Sequence, residues 1–290
     1  MNDTTPPLLT EEQPKPLSTV ADLPKTWQPF AERVKAQEAE ERKPKSLLST
    51  ITTKKRRRPF FGVICGPPGV GKTTFASKAP KPIFIQTERG TDQLTVARFP
   101  LVKTLNDYKA QIQTLVNEPH DFETIVLDSL DGLEIAIWKD VCDKGKVLSM
   151  EDFGYGRGFT KARECWVQIM ERLSSMSERW NVILIAHAQI KTITDPALSV
   201  PFDQWRMRLH EKSADVVKQS VDSLLFANIS QVINKENPKA RKGRAIVGEE
   251  RELWTSPVSG IECKNRFGLL NPMPFEWDDL QESIDKFHDA

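Results

Sequence analysis

Several features of secreted, membrane-bound and zinc-binding proteins are absent from this 290-residue chain. No apolar run approaches the roughly 20 residues of a membrane span, and the N-terminus lacks the basic start and apolar core of a secretory signal. The four cysteines are scattered, with no C-x-x-C pair and no histidine at ligand spacing. We therefore expect a cytoplasmic protein with reduced thiols, no cysteine-based metal site and no membrane association.

A strong net charge is also lacking, since 41 basic and 40 acidic residues give +1. Residues 1–58 hold 12 Lys and Arg against 8 Asp and Glu, so the remainder is slightly acidic. Bulk charge therefore predicts no general affinity for nucleic acid, and any such site must be local. Residues 1–58 are rich in Pro, Lys, Glu and Ser, which predicts a disordered or flexible tail. The tail ends in the basic run Lys54–Arg58, which suits a solvated linker, a phosphate-backbone contact or a targeting signal.

The most informative segment matches the pattern G-x-x-x-x-G-K-[ST] at every position, after a predicted buried strand and before a predicted helix. Glycines in such a P-loop let backbone N–H groups face phosphates, and the helix N-terminus adds positive partial charge. The pattern predicts that Lys72 reaches the β- and γ-phosphates of a nucleoside triphosphate and that Thr73 ligates Mg²⁺. The predicted nucleotide-binding residues are Gly66, Pro67, Pro68, Gly69, Val70, Gly71, Lys72, Thr73 and Thr74.

From residue 59 onward, predicted strands and helices alternate, which predicts an α/β fold with a mainly parallel, twisted sheet and helices on both faces. The predicted strands are 60–65, 82–86, 122–128, 181–186 and 223–229, and short β ribbons with turns at 248–249 and 259–260 are predicted over 245–264. We expect one core domain over 59–275. Residues 276–290 are predicted to be an acidic tail or helix.

Three polar positions follow the predicted strands. Asp128 ends the third strand, where an acid placed beside the P-loop strand would hold Mg²⁺ as a Walker B aspartate. Glu88 lies just beyond the second strand and is the predicted general base, with Asp131 and Glu134 as weaker alternatives. At the exit of the fourth strand, either His187 or Gln189 is expected to sense the γ-phosphate.

These elements, in this order, resemble the core of the RecA family over residues 60–275. The resemblance implies two DNA-binding loops, one over 151–159 and one over 191–210, in which aromatic rings stack on bases and arginines hold phosphates. It implies DNA contacts by Tyr155, Arg157, Phe159, Phe202, Trp205, Arg206 and Arg208. It also implies that Lys264 and Arg266 reach the ATP of a neighbouring subunit as catalytic cations, so that ATP sites lie at the interfaces of a homo-oligomer.

The chain more closely resembles phage-encoded, RecA-core ATP-binding proteins of the single-strand-annealing recombinase class, which have a Lys-Asn-Arg-type segment like 264–266. This resemblance implies an ATPase in the host cytoplasm that binds single-stranded DNA, uses ATP and Mg²⁺, and anneals strands during recombination. A ring and a short filament both suit the chain. Two other functions fit the sequence: a helicase loader or remodelling ATPase that acts on a protein partner, and a small-molecule kinase or nucleotide switch in which Arg157 and Arg206 approach the phosphates.

Overall fold

A computed structural model describes residues 47–53, 55–196, 199–234, 244–258 and 260–289. The chain divides into two compact units, Met1–Lys55 and Arg56–Ala290. In the first unit the described part contains a short 3-10 helix, Leu47–Thr50. Most of the predicted tail, including Lys54 of the basic run, lies outside the described residues.

The second unit alternates strands with helices, as the sequence predicts. Its strands are β1 (Phe61–Gly66), β2 (Pro82–Gln86), β3 (Ala97–Arg98), β4 (Thr124–Asp128), β5 (Asn181–Ile193), β6 (Phe202–Met207), β7 (Ser223–Asn234), β8 (Arg244–Trp254), β9 (Lys264–Asn265) and β10 (Met273–Pro274). Its α-helices are α1 (Lys72–Ser77), α2 (Leu105–Asn117), α3 (Leu130–Gly145), α4 (Arg157–Met176), α5 (Glu211–Ser220) and α6 (Trp277–Asp289), and a 3-10 helix spans Glu151–Phe153.

The strands form one mixed sheet in the order β10-β8-β7-β1-β5-β4-β2-β3. Strands β3, β2, β4, β5, β1 and β7 are parallel neighbours, whereas β8 and β10 continue the sheet in antiparallel fashion. Two further strands pair outside this path, β6 with the far half of β5 and β9 with the start of β7. The predicted α/β fold class is confirmed.

Alternating side chains of the central strands fill two separate cores. Phe61, Val63 and Cys65 of β1 face a core shared with α2, α3, α4 and α5, whereas Ile64 faces a second core with α1 and α6. Because successive side chains of a strand point to opposite faces, one six-residue strand serves both layers. Within the described residues, no helix is both long and apolar enough to cross a membrane.

Two details of the predicted architecture are wrong. The P-loop strand β1 is not beside β4, the strand that Asp128 ends, because β5 is inserted between them. No turn occurs at Gly248-Glu249: β8 runs through both residues, and its pairing with β7 has an irregularity there, between the Ile229–Arg251 and Gln231–Val247 pairs. The insertion of β5 decides which polar residues meet at the P-loop.

Candidate functional site

The P-loop connects β1 to α1 at the carboxyl edge of the parallel strands. Gly69 and Gly71 have φ of 80° and 100°, a left-handed backbone that favours glycine and lets the loop turn back over the strand end. Lys72 is buried, and its Nζ donates to the main-chain carbonyls of Gly66 at 2.8 Å and Pro67 at 2.9 Å. Burial lowers the pKa of Lys72, with nearby acidic groups opposing the shift. The loop therefore carries a cation at the point where phosphates would bind.

Thr73 and Asp128 lie side by side at this edge. The Thr73 hydroxyl donates to Asp128 Oδ2 at 2.8 Å, and burial raises the pKa of the Asp128 carboxyl group. The Asp128–Ser129 peptide bond is cis. A Cβ on Gly90 would lie 3.6 Å from Asp128 Oδ2 and 3.8 Å from Thr73 Oγ1, so glycine leaves space over the pair.

These two oxygen ligands fit Mg²⁺, which is usually bound by one or two protein oxygens together with phosphates and water. Among the residues that the structure describes, no three His, Cys, Asp or Glu side chains are grouped so that they could hold a metal ion alone. A magnesium ion here would therefore depend on Thr73, Asp128 and the phosphates of a nucleotide.

Glu88, which lies just beyond β2, reaches this edge although β5 and β4 lie between β2 and β1. The register aligns Gln86 with Asp128 and Asp128 with Ile185, so Glu88 and His187 both lie two residues beyond that level. Glu88 Oε1 is 3.0 Å from His187 Nε2. The hydrogen bond to His187 is the main reason that the pKa of Glu88 lies below its ordinary value.

Thr87 fixes the approach to Glu88. Its Oγ1 donates to the Ser129 carbonyl and accepts from the Ser129 N–H, both at 2.8 Å, which ties the end of β2 to the start of α3. A Cβ on Gly132 would lie 2.3 Å from Thr87 Oγ1, so only glycine permits this contact. Local sequence does not predict these two hydrogen bonds between Thr87 and Ser129, because the partners are 42 residues apart.

The two alternative carboxylates are occupied elsewhere. Asp131 Oδ2 accepts from the backbone N–H of His187 and Asp131 Oδ1 accepts from Arg208 Nε, both at 2.9 Å. Both oxygens of Glu134 accept from the backbone N–H of His210, at 3.2 and 3.1 Å. Of the three candidate bases, Glu88 is therefore the one whose carboxylate is half-exposed and not held by a backbone N–H group in these contacts.

His187 and Gln189 have different surroundings. The backbone of His187 is level with Gly66, the first P-loop residue, and its ring contacts Glu88. Gln189 pairs with Arg206 in the β5–β6 hairpin, and its Nε2 donates to the Met207 carbonyl at 3.4 Å. Of the two predicted sensors, His187 is the one in contact with Glu88.

The segment predicted as the second DNA loop is largely the β5–β6 hairpin and not an open loop. Its arginines are engaged, Arg208 with Asp131 and Arg206 with the side chains of Gln204 and Glu262. Trp205 packs on Phe226 at a ring distance of 5.9 Å, and Phe202 is half-buried in β6.

The first predicted DNA loop presents one aromatic ring to solvent. Tyr155 is fully exposed, and Gly154, Tyr155 and Gly156 all have positive φ, from 49° to 66°. Arg157 is exposed and donates from Nε to the Phe153 carbonyl at 3.0 Å. Phe159, in contrast, stacks on His210 at 4.1 Å within the fold.

Lys264 and Arg266 lie toward the amino ends of the parallel strands, whereas the P-loop of their own chain follows the carboxyl end of β1. Lys264 pairs with Leu224, which aligns with Val63 near the start of β1. Its Nζ donates to the carbonyls of Lys218 and Val221 at the end of α5, and burial lowers its pKa. Arg266 forms an ion pair with Asp222 at 2.8 Å. Both cations thus have partners within the subunit, and their intersubunit role stays a prediction.

The described arginines of the basic run also have acidic partners. Arg56 and Arg58 pair with Glu178, and Arg57 pairs with Asp285 and Asp289 of α6. These contacts fasten the start of the second unit to α6 and to the end of α4. Because the side chains of Arg56 and Arg57 are still mostly exposed, a phosphate contact by this part of the run stays a prediction.

One residue beside the P-loop has no signal in the sequence. Arg251 of β8 lies with its Nε 3.8 Å from the position that a Cβ on Gly71 would take. It lines a cleft together with the exposed face of α1 and with residues near β10. No motif marks Arg251, because β8 follows the P-loop by some 170 residues and reaches it only through the order of the sheet.

Comparison with known proteins agrees with this geometry. Residues 58–267 match the model of an AAA domain family, AAA_24. A relative is the SPbeta prophage-derived uncharacterized protein YorG of Bacillus subtilis (strain 168), 25% identical over 130 residues, which cover 43% of this chain and 40% of that protein. The match thus spans about two fifths of the curated relative. Because the family model covers most of the chain, this protein belongs to the AAA domain family of P-loop ATPases.

Proposed function

We propose that this protein is a Mg²⁺-dependent ATPase that binds single-stranded DNA and promotes strand annealing in recombination. The observation that carries the ATPase part is the meeting of Lys72, the Thr73–Asp128 pair and the Glu88–His187 pair at one sheet edge. A cation for phosphates, oxygen ligands for a metal and a carboxylate base are the three parts that phosphoryl transfer to water requires.

The roles follow from the contacts. Lys72 would exchange its carbonyl partners for the β- and γ-phosphates, and Thr73 and Asp128 would hold Mg²⁺, which neutralises developing charge on the phosphates. Glu88 would accept the proton of the attacking water. Its bond to His187 lowers the pKa of Glu88 and fixes the orientation of the carboxylate.

Tyr155 supports the proposed contact with DNA. The backbone of Tyr155 is left-handed, which is uncommon for a residue other than glycine, and such conformations cluster at functional sites. Its ring is fully exposed. An exposed aromatic ring beside Arg157 suits a single strand of any sequence, because every base offers a face for stacking. The hairpin residues Phe202, Trp205, Arg206 and Arg208 are weaker candidates, since their present partners would have to be released.

The annealing activity and the assembly into a homo-oligomer rest on the resemblance to phage recombinases. The prophage origin of YorG agrees with a phage-encoded protein. In such an assembly, Lys264 and Arg266 would have to leave their partners in α5 and Asp222 to reach a neighbouring ATP site.

The test is steady-state ATP hydrolysis with and without a single-stranded oligonucleotide at fixed moderate salt, because salt alone alters DNA affinity. We expect stimulation by the oligonucleotide and its loss in Lys72→Ala. Tyr155→Ala should weaken oligonucleotide binding about 5- to 150-fold, from a stacking contribution of about 1–3 kcal/mol, whereas Tyr155→Phe should bind like the wild type. Equal binding by Tyr155→Ala and Tyr155→Phe would exclude this loop from the DNA contact.

A second candidate is a remodelling or loading ATPase that acts on a protein. The specific observation is that Leu148 and Tyr155 are both fully exposed in the connection between α3 and α4. Two large exposed side chains in one connection would be available to a protein partner. ATP hydrolysis that is unaffected by single-stranded DNA would favour this function.

A further inference from the structure

A cavity of about 470 Å³ lies at the amino ends of the parallel strands. Pro59 and Pro80 in its lining come just before β1 and β2, and Asn181 is the first residue of β5. The P-loop follows the other end of β1, whose six residues put about 20 Å of strand between the two places. The cavity is therefore separate from the nucleotide site, and its volume is within the roughly 300–1,000 Å³ of small-molecule sites.

The charges around this cavity favour an anion. Of the described residues that line it, the arginines Arg57, Arg58 and Arg179 outnumber the carboxylates Glu123 and Asp285. Both carboxylates are already paired, Glu123 with Lys81 at 2.7 Å and Asp285 with Arg57 at 2.6 Å. Because Lys81 is not part of the lining, it adds positive charge from outside and leaves the cavity with an excess of cations.

Two donors near the start of β5 are available to a ligand. Arg179 is exposed and forms no ion pair with any described residue, and its guanidinium lies over the ring of Trp180 at 4.7 Å from the centroid. The Asn181 side chain accepts from the backbone N–H of Phe60 at 2.8 Å, which fixes its orientation. Its amide nitrogen has only a long contact of 3.5 Å with Thr124 Oγ1, so this group can still donate.

Two further side chains in the lining have buried nitrogens without partners. Arg58 Nη2 pairs with Glu178 at 3.0 Å, but Arg58 Nε is buried and has no partner among the described residues. Both ring nitrogens of His288 are also buried and unpartnered there, and at least one of them carries a hydrogen. A buried donor without an acceptor costs free energy. A ligand that brings oxygen atoms into the cavity would supply the missing acceptors.

We infer that this cavity binds a phosphate group through the four donors just described. The planar guanidinium of arginine matches the geometry of phosphate oxygens. A phosphate group has three strong acceptor oxygens, one more than a carboxylate, so it suits donors that come from separate segments of the chain. The phosphate belongs either to a free phosphate compound or to the backbone of a nucleic acid. The inference does not depend on hydrolysis at the P-loop.

The first arm of the test measures binding of inorganic phosphate, and of acetate for comparison, by calorimetry at constant ionic strength. The full chain carries Lys72→Ala, which removes the P-loop cation, and should bind phosphate more tightly than acetate. A further change, Arg58→Lys, keeps the charge beside Glu178 but removes the Nε donor. It should weaken phosphate binding about 10- to 150-fold, as the loss of a hydrogen bond to a charged group does.

Two more variants and a control accompany Arg58→Lys. His288→Phe keeps an aromatic ring against Phe267 and Phe287 and removes the ring nitrogens, so it should cause a similar loss. Arg179→Gln should weaken binding only about 1.5- to 5-fold, because solvent screens an exposed cation. Arg163→Gln, which changes an exposed arginine on α4, is the matched control and should have no effect.

The second arm identifies the source of the phosphate. It measures the affinity of a labelled single-stranded oligonucleotide, over a range of salt, for chains that retain Lys72. Arg58→Lys and Arg179→Gln should weaken this binding if the site holds a nucleic-acid backbone, and Arg179→Gln should lower the salt slope by about 0.7. Loss of phosphate binding with unchanged oligonucleotide binding would instead assign the site to a free phosphate compound.

Two results would overturn the inference. One is phosphate binding no tighter than acetate binding in the Lys72→Ala chain. The other is affinity for both phosphate and the oligonucleotide that is the same in Arg58→Lys and His288→Phe as in Arg163→Gln. If Arg58→Lys does not fold, His288→Phe and Arg179→Gln decide the outcome. None of these results bears on ATP hydrolysis, so the proposed function is tested separately.

Discussion

Glu88→Gln should abolish most of the hydrolysis of ATP without weakening its binding. The change keeps the size of the side chain and an oxygen that can bond to His187 Nε2, now at 3.0 Å from Glu88 Oε1. It removes the carboxylate that would take a proton from water. General bases typically contribute about 10²–10⁴-fold in rate, which equals about 3–5 kcal/mol of transition-state stabilisation at 1.36 kcal/mol per factor of ten.

The assay is phosphate release at saturating ATP and Mg²⁺, combined with ATP affinity measured by calorimetry. The kcat should fall about 10²-fold or more, while the Kd for ATP stays within a few-fold of wild type. Glu118→Gln, on the exposed end of α2, is the control for removal of one surface carboxylate. Asp131→Asn tests one of the two alternative bases, and it should act through the displacement of His187 and Arg208.

A Glu88→Gln variant with more than half of the wild-type kcat would refute the assignment of Glu88 as the base. A kcat that falls only in proportion to ATP affinity would also contradict it, because Glu88 would then be a binding residue.

Two predictions concern the residues around this carboxylate. Asp128→Asn should raise Tm at pH 7 in the absence of Mg²⁺ and nucleotide, because burial raises the pKa of Asp128 and thus disfavours its ionised form, while an amide oxygen still accepts from Thr73. Because the pKa of Asp128 is raised by folding, wild type is not penalised below the ordinary pKa of aspartate, where the group is protonated, and loses stability as pH rises above it. The gain in Tm should therefore shrink toward about pH 4. A Tm below that of wild type at pH 7 would contradict this prediction. Gly132→Ala should lower Tm by about 2–12 °C, since its Cβ would lie 2.3 Å from Thr87 Oγ1 and overpacking costs about 1–3 kcal/mol. The substitution should also lower kcat by moving Glu88. An unchanged Tm in a thermal scan would show that the hydrogen-bonded contact between Thr87 and Ser129 is not rigid.

The P-loop, the fold class and the cores of the parallel strands could be predicted because their signals are local. Gly66–Thr73 is a continuous motif, and the strands before Asp128 and His187 are short apolar runs. The strand order could not be predicted from local signals, since it depends on contacts between segments far apart in the chain. The insertion of β5 between β1 and β4 is the clearest case.

The pairing of charges explains most of the other differences. A sequence shows that Arg208, Lys264 and Arg266 are cationic, but it does not show that Asp131, the end of α5 and Asp222 receive them. A cation in a loop therefore resembles a ligand-binding residue until its partner is known. Arg251 is the reverse case, because only the folded β7–β8 hairpin brings it to the P-loop.

The most direct test of the central claim is phosphate release from ATP by the purified chain, with Mg²⁺ or with excess EDTA, for wild type and Lys72→Ala. The account predicts turnover by wild type that requires Mg²⁺ and that falls to background in Lys72→Ala. Equal turnover by wild type and Lys72→Ala, or turnover that persists in EDTA, would contradict the assignment of this sheet edge as an ATPase site.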